Sequence, residues 1–449
     1  MSSQEPTPQT TGRSIVVFGD DVRGNRSAIL EALRALTTEV TAVIESADAD
    51  GGALGADDLD GAEAVSFDTL GVAVVARTPE QLSSALEMQS ASLPIVAIEP
   101  ERVQYAIAVE EEPVEQEPGT AEQFADDDEF TWGLHATGVD VTQATGEGIK
   151  IAVLDTGFTV DHPDFAGRTV TTQSFITGET VDDGHGHGTH CIGTAAGPAK
   201  PPEGRRYGIA SGAEIFAGKV LSNAGSGADA GILAGIEWAI TNGCRVVSMS
   251  LGADVREPSA TYEAVGRRAL DAGTLIVAAA GNNANRPGDP GFVGIPANSV
   301  SIMAVGALDS SLAIAEFSAG SGTPKGAEVD IAAPGVDVYS TWRMPQRYNT
   351  ISGTSMATPH VAGIAALWSQ TTGDTGEALW KTVVGAARKL ELPVADVGAG
   401  LAQAPPPAAS GPPPAEDPPP AEDPPPAEDP PPAEDPPPAE PPPPSPPSD

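Results

Sequence analysis

The sequence predicts an α/β fold in which helices cover a parallel β-sheet, preceded by a smaller α+β domain. Two observations predict the sheet. Short apolar segments alternate with helical segments between residues 214 and 280, which is the order that a parallel sheet covered by helices requires. Residues 151–157 form an apolar run that carries Asp155 near its carboxyl end, the edge at which ligands and catalysis gather in open α/β sheets. The chain has 449 residues and a hydrophobic content of 40%, enough for a core in each domain.

The smaller domain is predicted from the first hundred residues. Thr78-Pro79-Glu80 supplies an N-cap, a proline and an acid, the usual beginning of a helix. Apolar spacing predicts another helix near the start of the chain. The order of the elements is strand, helix, strand, strand, helix, strand, which is the ferredoxin-like pattern, and one further short strand is allowed at residues 40–44. We expect the helices at residues 27–36 and 78–89 and the main strands at residues 14–19, 64–67, 71–76 and 94–99.

The net charge of −40 is concentrated outside the central part of the chain. Residues 106–130 are rich in Glu, Asp and Pro, which predicts a flexible acidic linker. Residues 404–449 repeat Pro-Pro-Pro-Ala-Glu-Asp, which predicts a disordered, extended tail. This tail suits an inert solubilising linker, a spacer or a docking segment for an unknown partner. Acidic flanks argue against a nucleic-acid partner, because phosphate binding needs clustered Lys and Arg.

The N-terminus, residues 1–13, is polar and is predicted to be disordered. It lacks the basic start and the apolar core of a signal peptide, and no segment of the chain approaches the roughly 20 apolar residues of a membrane span. We therefore expect no signal peptide and no membrane span, which leaves a cytoplasmic location and non-classical export both open.

Three segments carry the residue types of a charge-oriented nucleophile. Ser355 lies where a turn leads into a helix, so backbone N–H groups and the helix dipole favour negative charge at its oxygen. A serine before a helix is by itself more often an N-cap. Here, however, a carboxylate (Asp155) ends an apolar strand, and His187 lies in a loop that enters a helix. A carboxylate, an imidazole and a hydroxyl at element ends are the parts of a hydrolytic triad.

These three segments resemble the signatures of the subtilisin-like serine proteases (subtilases, peptidase S8 family). They are Asp155-Thr156-Gly157, the His-Gly-Thr-His block that begins at His187, and the Gly-Thr-Ser-Met-Ala-Thr-Pro block that contains Ser355. The resemblance implies a three-layer α/β/α catalytic domain and serine endopeptidase activity on protein or peptide substrates. It also implies that Ser355 is the nucleophile, His187 the base and Asp155 the group that orients the base. His185 and His190 are then structural or solvent-facing. The expected segments are 1–13, 14–105, 106–130, 131–403 (the catalytic domain) and 404–449.

The resemblance also implies an oxyanion hole and a peptide-binding cleft. Asn282, which follows an apolar strand, corresponds to the side-chain donor of the family, and the choice of Asn282 over Asn283 depends on the resemblance alone. The backbone N–H of Ser355 would be the second donor. Two segments resemble the strands that hold the substrate by β-augmentation, and small residues wall the main specificity pocket, which suggests a preference for apolar side chains. The expected substrate-binding residues are Gly225, Ser226, Gly227, Ser250, Leu251, Gly252, Ala279 and Gly281.

Residues 14–105 resemble the inhibitory propeptide (inhibitor I9-like) that precedes many subtilase domains, and the resemblance is strongest at residues 95–101. We therefore expect this domain to inhibit the catalytic domain and to assist its folding, with residues 103–106 lying in the cleft like a product. An unrelated α+β module is the alternative.

No cofactor is predicted to be required and no metal ligands are assigned, although a structural calcium ion stays open as an alternative. Asp164 matches a position that ligates calcium in some subtilases, but residues 197–206 contain Pro and Arg where those proteins have an Asn-rich ligand loop. Cys191 and Cys244 do not constitute a disulfide framework. Two alternatives to a serine peptidase are a non-catalytic binding protein on the same scaffold and a metallohydrolase. The metallohydrolase would use Asp183, His185, His187 and His190.

Overall fold

The structure is a computed structural model that describes residues 8–37, 42–49, 54–88, 93–107, 124–322, 326–407 and 438–439. The predictions of disorder for the N-terminus, the linker and the tail lie partly outside the described residues. They are wrong for residues 10–13, which belong to a strand, and for residues 124–130, where the N–H of Phe124 donates to the carbonyl of Ser310 at 3.0 Å. We refer to residues 10–107 as the N-terminal lobe and to residues 124–407 as the main lobe. Among the described residues, none of the helices combines the length and the apolar character that a bilayer crossing requires.

The N-terminal lobe is a mainly antiparallel sheet with helices α1 and α3 on one face. Its elements are β1 (Thr10–Phe18), α1 (Arg26–Leu36), β2 (Val43–Glu45), α2 (Ala56–Leu59), β3 (Ala64–Phe67), β4 (Val72–Val75), α3 (Pro79–Glu87) and β5 (Ile95–Ala106). The strand order β5-β1-β4-β3 is the ferredoxin-like arrangement, and β2 adds a short parallel strand at the β3 edge. The helix α3 begins as predicted, because the Thr78 hydroxyl accepts a hydrogen bond from the backbone N–H of Gln81.

The main lobe alternates strands and helices. Its elements are α4 (Trp132–Thr137), β6 (Lys150–Asp155), β7 (Val170–Ser174), α5 (His187–Ala196), β8 (Glu214–Lys219), β9 (Ser226–Ala228), α6 (Asp229–Thr241), β10 (Val246–Met249), β11 (Leu251–Gly252), α7 (Ala260–Asp271), β12 (Leu275–Ala279), β13 (Met303–Leu308), β14 (Ile331–Pro334), β15 (Val338–Thr341), β16 (Tyr348–Ile351), α8 (Thr354–Thr372), α9 (Gly376–Gly385) and α10 (Val394–Val397).

A parallel sheet of order β14-β13-β12-β10-β6-β8-β7 forms the centre of the main lobe. Except for the edge strand β7, whose residues are polar and partly exposed, its strands are buried on both faces, which explains their apolar runs. In β6, for example, Ile151 and Val153 belong to the core that includes α5 and α8, whereas Ala152 and Leu154 belong to the core that includes α6 and α7. This arrangement is the predicted three-layer α/β/α fold.

The two lobes share a hydrophobic core. The face of the N-terminal sheet that carries Val17 and Val74 packs in one cluster with Ile236 of α6 and Val265 of α7. The opposite face packs against α1 and α3. Helices α6 and α7 therefore lie between two sheets, one from each lobe.

Strand β5 is longer than the sequence predicts, because it continues beyond residue 99 to Ala106. Its first part pairs with β1, and its last residues pair with two strands of the main lobe. Gln104 lies opposite Gly227 of β9, and Ala106 lies opposite Leu251 of β11. The extra length depends on partners more than a hundred residues away in the sequence, which no local pattern encodes.

Candidate active site

Asp155 and His187 meet at the carboxyl edge of the parallel sheet. Asp155 ends β6, and His187 is the first residue of α5. The Nδ1 atom of His187 lies 2.7 Å from Oδ1 of Asp155, and both side chains are buried. Oδ1 of Asp155 also accepts the backbone N–H of Thr156 at 2.7 Å. The imidazole is thus held with Nδ1 toward the carboxylate and Nε2 directed elsewhere.

A second buried carboxylate holds the start of α5. Asp183 accepts hydrogen bonds from the backbone N–H groups of Gly186 (2.8 Å) and Thr189 (2.9 Å) and from the Thr156 hydroxyl (2.9 Å). Burial alone would raise the pKa of Asp183, but these hydrogen bonds hold its pKa below the ordinary value. Asp183 therefore positions the residue that begins the helix, His187, and was not predicted to have this role.

The pKa of His187 reflects two opposing influences. Complete burial disfavours the charged imidazole, but the adjacent Asp155 carboxylate favours it and raises the pKa well above the ordinary value. The positive form of His187 is therefore stabilised in this site, as required of a group that becomes charged when it accepts a proton.

Ser355 lies in the first turn of α8. Pro359 lies four residues further along this helix and has no N–H, so the carbonyl of Ser355 has no helical donor. Instead it accepts hydrogen bonds from the Ser250 hydroxyl at 2.7 Å and the Cys191 thiol at 3.7 Å. The Ser355 hydroxyl donates to the carbonyl of Ser250 at 3.1 Å. Among the described residues, Nε2 of His187 has no hydrogen-bond partner.

The structure distinguishes Asn282 from Asn283. Oδ1 of Asn282 accepts from the backbone N–H (3.0 Å) and the hydroxyl (2.9 Å) of Thr354, so its amide nitrogen is directed into the cleft. Nδ2 of Asn283 instead donates to Asp254 (2.9 Å) and to the carbonyl of Phe292 (3.0 Å). The geometry favours Asn282 as the donor to a developing oxyanion.

The end of the N-terminal lobe occupies the cleft. The N–H of Ala106 donates to the carbonyl of Gly225 at 2.9 Å, and the N–H of Ile107 lies 3.4 Å from the carbonyl of Ser250. The carbonyl oxygen of Ile107 lies 3.4 Å from Nδ2 of Asn282. Glycine is needed at position 252, because a Cβ there would lie 2.6 Å from the Ile295 carbonyl and 2.8 Å from Cδ1 of Ile107.

Of the remaining residues predicted to bind substrate, four belong to the two strands that pair with β5. Ser226 and Gly227 belong to β9, and Leu251 and Gly252 form β11. Ala279 ends β12 in the core, and the N–H of Gly281 lies 3.2 Å from the Thr354 hydroxyl oxygen. The structure therefore gathers segments that span more than a hundred residues of sequence around the Ile107 carbonyl.

Comparison with known proteins agrees with this arrangement. A sequence model of the subtilase family matches residues 146–401, more than half of the chain. The chain belongs to the subtilase family. Subtilisin DY of Bacillus licheniformis is 41% identical over 240 residues, which cover 53% of this chain and 83% of that protein. Subtilisin Savinase of Lederbergia lenta is 45% identical over 227 residues, which cover 50% of this chain and 78% of that protein.

A third relative is longer. M-protease of Shouchella clausii (strain KSM-K16) is 45% identical over 227 residues, and the aligned part spans 55% of its length. The matched part of this subtilase contains Asp155, His187, Asn282 and Ser355, and it excludes the N-terminal lobe.

Two residues of the metallohydrolase alternative, His190 and Asp183, have other partners in this subtilase. Nε2 of His190 lies 2.9 Å from the Val338 carbonyl, and burial lowers the pKa of His190 to about 3. Asp183 is engaged by backbone N–H groups as described above. Asp155, His187 and Cys191 do offer ligand atoms within 4.8 Å of one another. However, Asp155 and His187 already bind each other, and burial raises the pKa of the Cys191 thiol.

Asp164, the residue that matches a calcium ligand of some subtilases, lies in a hydrogen-bonded cluster. The hydroxyls of Tyr207 (2.5 Å) and Tyr348 (2.8 Å) each donate to one of its carboxylate oxygens. Both oxygens of this carboxylate are therefore engaged by phenol groups.

Replacing Asn282 with Ala is expected to lower kcat by roughly 10² to 10³ with little change in KM, a range measured on a subtilisin. The reason is that its amide donates to charge that develops only in the transition state. The control variant is Asn283→Ala. For each variant the concentration of active enzyme is determined by active-site titration, so that kcat refers to folded protein. A large loss of kcat in Asn283→Ala together with a normal kcat in Asn282→Ala would contradict the assignment.

Proposed function

We propose that this subtilase is a serine endopeptidase that uses Asp155, His187, Ser355 and Asn282, and that its N-terminal lobe is an inhibitory propeptide cut after Ile107. The observation that carries the proposal is the position of the Ile107 carbonyl beside the Asn282 amide, at the end of a strand bound between β9 and β11. A peptide held this way presents its carbonyl as a substrate does.

The proposed reaction begins when the Ser355 hydroxyl turns from the Ser250 carbonyl toward Nε2 of His187, by rotation of its side chain. Nε2 takes the hydroxyl proton while Oγ bonds to the carbonyl carbon of Ile107. The carbonyl oxygen becomes negative, and the Asn282 amide and the backbone N–H of Ser355 donate to it. His187 then protonates the leaving amine of Ala108, which breaks the peptide bond and leaves an acyl-enzyme that water hydrolyses.

Contacts away from the cleft support retention of the lobe after the cut. The Glu99 carboxylate accepts from Ser259 (2.7 Å) and from the backbone N–H groups of Ala260 (2.9 Å) and Thr261 (3.0 Å), at the start of α7. Glu101 accepts from the N–H of Ala230 at 3.1 Å, in the first turn of α6. Negative charge at helix N-termini is stabilising. Strand β5 therefore binds the cleft through its backbone and also binds the N-termini of α6 and α7 through these two carboxylates.

The shared core supports an effect on folding. Parallel sheets form slowly because their contacts are distant in sequence. The N-terminal sheet packs on α6 and α7, so it offers a surface on which those helices can assemble against the main-lobe sheet. This contact favours a lobe that assists the folding of the catalytic domain over an unrelated α+β module.

The first cut of the purified full-length chain is expected between Ile107 and Ala108. Intact-mass measurement at early times, combined with N-terminal sequencing, should find residues 1–107 and a product that begins at Ala108. Hydrolysis of an added peptide should lag behind this cut and rise only as fragment 1–107 disappears, because the fragment still occupies the cleft.

The matched control is the same incubation with Ser355→Ala, which should remain intact. A first cut elsewhere, for instance within residues 124–131, would show that Ser355 does not attack the carbonyl carbon of Ile107 first. Full peptidase activity while fragment 1–107 remains bound would show that the lobe is not an inhibitor.

A further inference from the structure

The side chain of Gln104 on strand β5 reaches a buried carboxylate, Asp229, that is not among the predicted cleft residues. It lies opposite Gly227, and its side chain is fully buried, whereas the next residue, Tyr105, is 41% exposed. With Ile107 at the scissile bond, Gln104 is the fourth residue before that bond. Its Nε2 atom donates to Oδ1 of Asp229 at 2.9 Å. A substrate strand in the same register would place its fourth side chain at Asp229.

Asp229 is the first residue of α6 and is itself completely buried. Besides Gln104, its carboxylate accepts from the backbone N–H of Arg102 at 2.8 Å and from the Tyr262 hydroxyl at 2.7 Å. These partners are all hydrogen-bond donors. Two of the three belong to β5 and leave with it, so the carboxylate must find new donors whenever a substrate replaces the lobe.

We propose that Asp229 makes this enzyme select substrates with an N–H-donating side chain, Gln, Lys or Arg, at the fourth residue before the cleaved bond. The inference rests on the peptidase function proposed above and adds the substrate class. The apolar side chains suggested for the main pocket concern the residue at the bond itself, so the two preferences are independent.

The selectivity follows from the cost of burying a carboxylate without its donors. An apolar side chain at this position covers Asp229 but offers no hydrogen bond, and a buried acceptor left unsatisfied is costly. Glu is shaped like Gln but would place a second carboxylate against the first. Burial raises the pKa of Asp229 to about 6, with hydrogen bonds from Gln104 and Arg102 opposing part of that rise. An ionised Asp229 therefore repels an ionised Glu at this position.

The test uses enzyme matured from the full-length chain and peptides of sequence Xaa-Tyr-Ala-Ile with a fluorogenic leaving group, where Xaa is Gln, Lys, Glu or Met. The Tyr-Ala-Ile part repeats residues 105–107. At pH 8 we expect kcat/KM for Gln and Lys to exceed that for Glu and for Met by at least about tenfold. Gln and Glu have the same shape, so the ratio of kcat/KM for the Gln peptide to that for the Glu peptide measures the effect of a negative charge placed beside Asp229.

The variant Asp229→Asn provides the second measurement. An Asn amide can donate to Glu, so the ratio of kcat/KM for Gln over Glu should fall to about one or below. A purely structural role of Asp229 would lower all four rates together and leave this ratio unchanged. The control is Glu147→Gln, which removes one exposed charge before β6, at the opposite edge of the sheet from Asp155, and should keep the wild-type ratio.

Equal wild-type rates for Gln and Glu, or a faster rate for Met, would overturn the proposal even if Asp229→Asn failed to fold, and would leave the peptidase function intact. If no peptide were cleaved and Ser355 did not react with a sulfonyl fluoride, the peptidase function and the proposal that rests on it would both fail.

Discussion

Replacing Ser355 with Ala is expected to lower peptide hydrolysis roughly 10⁶-fold and to leave the chain uncut, the size of loss measured for the nucleophile of a subtilisin. The remaining groups can still bind a peptide, but no oxygen is left to bond to its carbonyl carbon. The fold should survive, because the Ser355 hydroxyl donates to the carbonyl of Ser250, a hydrogen bond whose loss costs on the order of 1 kcal/mol. The measurements are the rate of peptide hydrolysis and intact mass over time.

A matched control lies in the same helix. Ser369 donates to the carbonyl of Asp374 near the other end of α8, and Ser369→Ala should keep near-normal activity. Phenylmethylsulfonyl fluoride should modify Ser355 alone in the mature enzyme, as peptide mapping can establish. More than a few per cent of wild-type activity in Ser355→Ala, or modification of a different serine, would refute the role of Ser355.

The second large effect is expected for Asp155→Asn, with kcat reduced roughly 10⁴-fold, as for the equivalent change in a trypsin-like enzyme. The amide of Asn can donate to Nδ1 of His187, which forces the ring proton onto Nε2. A protonated Nε2 cannot accept the hydroxyl proton of Ser355. The amide nitrogen then also faces the backbone N–H of Thr156, so that hydrogen bond is lost, at a cost on the order of 1 kcal/mol that the fold should tolerate.

The pH dependence of the hydrolysis rate distinguishes the loss of the Asp155 charge from a general disturbance of the active-site structure. In the wild-type enzyme the Asp155 carboxylate raises the pKa of His187, so the rate should climb with pH as the imidazole loses its proton. Asn carries no charge, so this acid limb should move to lower pH in the residual activity of Asp155→Asn. The exposed neighbour Asp161 serves as control, because Asp161→Asn should leave both kcat and the limb unchanged. An acid limb that stays in place in Asp155→Asn would contradict the proposed pairing.

The sequence by itself predicted the features that are encoded over a few neighbouring residues. Apolar runs predicted β6, β8, β10 and β12 of the parallel sheet but not β7, β13 or β14, and the cap at Thr78 predicted the start of α3. The motifs predicted that Asp155 lies at a strand end and that His187 and Ser355 lie at helix starts, because each position is set by the local chain. The order of the three blocks then sufficed to indicate the family.

Tertiary structure decided which side chains meet. Asn282 and Asn283 are equivalent in sequence, and only Thr354, more than seventy residues away, directs one of them into the cleft. Ile107 fell within the predicted linker, yet pairing with β9 and β11 carries β5 into the cleft beside the Asn282 amide. An acid at the start of a helix is ordinary in sequence, and Asp229 acquires its proposed role only because packing buries it against Gln104. Local patterns set the elements, whereas burial and long-range pairing set the chemistry between them.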